Sequence, residues 1–208
     1  MNKYLFCFAL AAGAAFAQYK MEPAGPPPSD LAPAFAAEMQ QQGYKIVNSS
    51  GTVWCEIWLR KVAPSGPKST EDGVALPTIP QGALLGVLRF PGQAADRRGQ
   101  TIKPGLYTMR YSLYPVNGDH QGVAPNRDFA LLVPASEDKD PAATPNFDAL
   151  VALSRKASGT PHPAVFNIWN SSSDKLPSLE KQGDHDWVLN AKLGDQPLSI
   201  ILIGKVES

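Results

Sequence analysis

The sequence predicts a mainly β protein: an antiparallel β-sandwich of about eight strands, with two short helices packed on its edge or end. Three observations lead there. Apolar residues alternate with period two in several segments, as they do in a strand with one buried face. These segments come mostly in sequence-adjacent pairs separated by turn residues. The connections lack the helix after every strand that a parallel sheet requires.

The chain opens with the three-part pattern of a cleavable export signal. Met1-Asn2-Lys3 is positive, residues 4–16 carry no charge, and Ala15 and Ala17 are the small residues a signal peptidase reads. Cleavage is expected between Ala17 and Gln18, giving a secreted or periplasmic protein. The apolar run is shorter than the roughly 20 residues that span a bilayer, and no later stretch qualifies, so membrane insertion is not expected. Residues 18–29 are rich in proline and read as an extended tail. Residues 30–208 are expected to form one domain.

A first helix is expected over residues 30–42. Ser29 or Asp30 can cap it, Pro33 falls in its first turn, and Gly43 can close it. Leu31, Phe35 and Met39 share one face. Residues 44–48 and 52–62 then form a hairpin about Asn48-Ser49-Ser50-Gly51. In its second strand, alternation groups Val53, Cys55, Ile57 and Leu59 on an apolar face and Trp54, Glu56, Trp58 and Arg60 on the other. Residues 63–80 read as a long surface loop. Further strands are expected at 83–90, 106–114, 129–133 and 164–169. A second helix over 145–157 is capped by Thr144 and ended by Gly159. Residues 187–193 and 198–206 make a closing hairpin.

Charge excludes some partners. The chain has 19 Lys plus Arg and 19 Asp plus Glu, and loss of Lys3 leaves 18 against 19. Near-neutral, well-mixed charge argues against nucleic acid or an anionic membrane surface, both of which need a basic face. Cys7 lies in the export signal, so Cys55 is left alone and is expected to be a buried apolar residue.

The segment 99–109, Gly-Gln-Thr-Ile-Lys-Pro-Gly-Leu-Tyr-Thr-Met, resembles the beginning of a core strand in many secreted β-sandwich modules. Among them are bacterial export-signal proteins whose domain has no assigned function. The pattern is an apolar residue, Pro or Ala, Gly, any residue, Tyr, then Thr or Ser, and the similarity extends loosely over residues 83–134. It implies a fold and a compartment, and no activity.

Two constellations are candidates for binding. Trp54 and Trp58, flanked by Glu56 and Arg60, could stack a sugar or flat ligand or anchor a partner protein. The competing reading covers both indoles with the first helix and pairs Glu56 with Arg60. The connection 115–128 is long for a hairpin and carries Asp119, His120, Arg127 and Asp128. A third constellation would support catalysis. His120, His162 and His185 all fall in loops and could ligate zinc, oriented by Asp119, Asp184 or Asp186. Their spacing contains no short ligand pair. There is also no Gly-x-Ser-x-Gly elbow and no phosphate-cradling glycine loop. The expected function is therefore a module that binds a small ligand or protein partner without catalysis. The alternative is a zinc-dependent enzyme, hydrolytic in type, built on the three histidines.

Overall fold

The computed structural model describes residues 18–116 and 126–205. Residues 1–17, where the export signal is expected, and Asp119 and His120 lie outside the described residues. The strands are β1 (Tyr19–Gly25), β2 (Gly43–Asn48), β3 (Val53–Leu59), β4 (Leu84–Phe90), β5 (Ala94–Ala95), β6 (Thr101–Ile102), β7 (Gly105–Leu113), β8 (Asp128–Pro134), β9 (Val165–Trp169), β10 (Ser178–Gln182), β11 (Asp186–Leu193) and β12 (Gln196–Ile203). The helices are α1 (Pro33–Ala36) and α2 (Phe147–Ser158).

Mainly β, antiparallel and two helices describe the molecule correctly; the two-sheet sandwich does not. Ten strands form one sheet in the order β1-β2-β3-β4-β7-β8-β9-β12-β11-β10, and every pairing in it is antiparallel. The sheet curls into a nearly closed barrel. Its edge strands are β1 and β10, and across that seam the Tyr19 ring meets Trp187 edge-on at 5.6 Å. One core fills the interior. Cys55, Ile57 and Leu59 from β3, Tyr107, Met109 and Tyr111 from β7, and Leu198, Ile200 and Leu202 from β12 all belong to it. Contacts cross the barrel, with Phe90 of β4 stacked on Phe166 of β9 at 6.2 Å. The expectation failed because strand alternation defines an inward face but leaves open whether that face meets a second sheet or the same sheet curled round.

Both ends of the barrel are closed by connections. The long loop after β3 supplies Leu76, Ile79 and Ala83 to the core at the upper end. At the lower end, the β5–β6 hairpin contributes Ala94 and Ile102.

Residues 19–25 are extended as expected but do not form a tail: they pair along β2 from Tyr19↔Asn48 to Gly25↔Gly43. Pro23 is tolerated because β1 is an edge strand with one side unpaired. The first helix is a single turn. Ala32 sits at its N-cap without a side-chain bond, and the expected cap Asp30 is drawn into an ion pair with Arg89. The chain then leaves the helix when the Gln40 N–H donates to the Leu59 carbonyl at 2.9 Å. α2 behaves as the sequence indicates, with Asn146 rather than Thr144 as its cap and Gly159 in the left-handed conformation at its end. It packs on the outer face of β8 through Leu150. Ser154 hooks it to the start of β9, its hydroxyl accepting from the Ala164 N–H at 3.0 Å.

Candidate functional site

The four residues expected on one face of β3 do not share it. Ile46 pairs with Cys55 and Val47 with Val53, so Trp54 has no partner on β2. This one-residue bulge inverts the alternation. Trp54 turns inward, where its ring lies 6.3 Å from Tyr19 and 6.4 Å from Phe90, and its indole N–H donates across the barrel to the Leu202 carbonyl at 3.3 Å. Trp58 points outward and is covered by the first helix, as the competing reading had it. It is 2 % exposed and packs with Leu31, Phe35, Met39, Leu84 and Val87. Its N–H donates to the Gly25 carbonyl at 2.9 Å. Arg60 pairs with Glu38 at 2.6 Å rather than with Glu56. Glu56 faces Lys45 and Arg89 across the ladder. No platform of two tryptophans exists.

The two loop candidates among the described residues, Arg127 and Asp128, are anchors. Asp128 is fully buried. It accepts from the Ala75 and Leu76 N–H groups at 2.7 and 2.9 Å and from the Tyr111 hydroxyl at 2.7 Å. Burial and this hydrogen bond push the Tyr111 phenol well above its usual range. Arg127 donates to the Tyr114 and Asp72 carbonyls and pairs with Glu71 at 2.9 Å. Both residues fasten the upper loop to the barrel.

Of the three histidines, His185 is exposed in the turn between β10 and β11, and His162 lies on the connection from α2 to β9. Among the described residues, no three His, Cys, Asp or Glu side chains come together to hold a metal ion. Cys55 is completely buried, and burial raises its thiol far above the ordinary range, which removes it as a nucleophile at neutral pH.

The structure does form a cleft that sequence reasoning missed. It lies outside the barrel, between α2 and the outer face of β8 and β9, with a volume of about 520 Å³. Its apolar lining comes from Tyr114, Phe129, Phe147, Val151 and Val165, with Pro161 and Pro163 beside them. The Tyr114 and Phe129 rings stack at 4.3 Å, and burial raises the Tyr114 phenol. Among the described residues the polar lining is basic: Arg98, Arg155 and His162, with no carboxylate. Arg98 comes from the β5–β6 turn. It is held by Asp96 at 2.9 Å and by the Pro163 carbonyl at 2.7 Å, and its Nε is buried without a hydrogen-bond partner among the described residues. Asp96 is itself fixed, accepting from the Arg98, Gln100 and Val165 N–H groups. Arg155 is exposed on α2 and has no ion-pair partner among the described residues. Such a cleft can shelter an apolar body while basic groups at its margin meet an anionic one. The signal available in the sequence was the Arg97-Arg98 pair inside a Pro-bounded connection, together with the mid-helix Val151 and Arg155 spaced i, i+4.

Family models, curated proteins and solved structures were all compared with the chain, and none matches.

Proposed function

We propose that this protein is an exported, non-catalytic binding module whose α2–sheet cleft takes up a small apolar molecule bearing one negative charge. The observation that carries this reading is the division of the cleft lining: among the described residues it has seven apolar or aromatic side chains, three basic ones and no acid. The volume of about 520 Å³ falls within the roughly 300–1,000 Å³ of small-molecule sites. Export is supported by the signal pattern of the first residues.

Titration with anilinonaphthalene sulfonate, an apolar aromatic monoanion, tests the reading, with decanoate as competitor. Saturable binding displaced by decanoate is expected. Arg155→Glu reverses the charge of an exposed helix residue and should weaken binding roughly 10–100-fold, the equivalent of one charge-assisted hydrogen bond. Val151→Trp should block the cleft. Binding that is unchanged in both variants would refute the assignment.

A further inference from the structure

The combination looked for on β3 — an aromatic face beside a carboxylate and a guanidinium — occurs elsewhere, in a second cleft of about 530 Å³. Arg97 and Arg98 are adjacent in sequence but line different clefts. Arg97 is held side-on by Asp186, its Nε donating to both carboxylate oxygens at 3.0 Å. Trp169, at the end of β9, Ile201 of β12 and Ala75 of the loop after β3 supply the apolar part of the lining. Gln182, which faces Asp186 across the β10–β11 ladder, and Asn126, just before β8, complete it.

Three of these groups have hydrogen-bonding capacity that the described residues do not use. The indole N–H of half-buried Trp169 has no partner among them, and neither has the side-chain amide of Gln182. Asn126 is the most informative. Its Nδ2 donates to Asp128 at 3.2 Å and to the Ile168 carbonyl at 2.8 Å, which fixes the orientation of the amide. Its Oδ1 is then left buried without a donor, an arrangement native structures rarely keep without a reason.

We propose that this cleft binds a neutral pyranose sugar. A sugar ring presents a C–H face that packs on indole, and its hydroxyls both donate and accept. They can therefore supply the donor that Asn126 Oδ1 lacks and acceptors for the Trp169, Gln182 and Arg97 N–H groups. Neutrality follows from the ion pair: Arg97 and Asp186 already cancel, and a charged ligand would have to break a bidentate contact to use either. The inference is independent of the anion-binding cleft, which has a different lining and a basic margin.

Saturation-transfer NMR tests it, with the methyl pyranosides of glucose, galactose and mannose, and with N-acetylglucosamine, each at millimolar concentration. Ring-proton transfer is expected with at least one of the four. It should disappear in Trp169→Ala, persist in Trp169→Phe, and be unaffected by Arg155→Glu. Glucuronate should give less transfer than the methyl glucoside. If Trp169→Ala fails to fold, Gln182→Ala decides: this exposed residue should fold normally and lose transfer several-fold. Absence of transfer with all four sugars would overturn the proposal, as would transfer that survives both Trp169→Ala and Gln182→Ala.

Discussion

Removing the Trp58 side chain should destabilise the fold strongly, and the reason lies in a single contact that can be tested twice. The indole is 2 % exposed, sealed by Leu31, Phe35 and Met39, and bonded to Gly25. Trp58→Ala therefore empties a buried site, strips one hydrogen bond from a β1 carbonyl and frees the segment carrying α1. Large-to-small changes of this kind cost about 3–5 kcal/mol. For a domain of this size the melting temperature should fall by about 6–20 °C. The second test uses Gly43, where an added Cβ would sit 2.4 Å from the Trp58 Nε1. Gly43→Ala should cost roughly 1–3 kcal/mol through overpacking. In the Trp58→Ala background the obstructing ring is gone, so most of that cost should vanish. Thermal or urea unfolding of the two single variants and the double variant measures the coupling. Additive losses, or a Trp58→Ala protein that melts with the parent, would show that the indole does not pack as described.

Three further outcomes are expected. Asp138→Ala leaves Arg110, 1 % exposed and bonded to Asp138 at 2.6 and 2.7 Å, as a buried charge without its counter-ion; urea unfolding should show a loss of about 3–5 kcal/mol, and a near-neutral result would contradict the pairing. Native protein should resist thiol reagents at Cys55 until unfolded. The raised folded pKa also means that stability is complete below the ordinary thiol range and is lost as pH rises toward the folded value, at up to about 1.4 kcal/mol per pH unit; Cys55→Ala should flatten this alkaline slope, and an unchanged slope would exclude the thiol as its source. Elemental analysis of protein purified without chelator should find no stoichiometric zinc, and zinc that is lost in His162→Ala would restore the enzymatic alternative.

The sequence revealed most of the strands but less of how they are combined. The β2–β3 hairpin, β4, β7, β8, β9 and the β11–β12 hairpin are all legible because each has an apolar face or an apolar run bounded by turn residues. β10 was missed since Ser178–Gln182 is an edge strand with one apolar side chain, Leu179 on the core, among polar ones that reach solvent and the network about Asn190. β1 was obscured by the neighbouring prolines. The bulge at Trp54 is the sharper lesson. Period-two reading assigns faces by parity, and one inserted residue reverses parity without leaving any mark in composition. The second cleft was invisible for a different reason. It draws on residues from before β8, from β9, from the β5–β6 turn and from the β10–β11 hairpin, and no local pattern links positions so far apart in sequence.

Polar loop residues drew attention as ligand groups, and the structure uses several of them for another purpose. A long connection that closes a barrel end must bury backbone N–H and C=O groups, and each needs a partner. Asp128 supplies two for the upper loop, and Asp96 does the same within the lower hairpin. Arg110 reaches the Gly82, Asp140 and Ala143 carbonyls and so fixes the connection between β8 and α2. These side chains are bonded on most of their polar atoms, which makes them poor recruits for a ligand. A better criterion is capacity left over after folding. Asn126 and Asp128 are two residues apart and bonded to each other, yet the criterion separates them. Asp128 accepts from two backbone amides, a phenol and an amide side chain, whereas Asn126 keeps a buried oxygen with no donor among the described residues. Recognition chemistry is thus expected at Asn126, and at Trp169 and Gln182 beside it, while the charged neighbour holds the scaffold on which they stand.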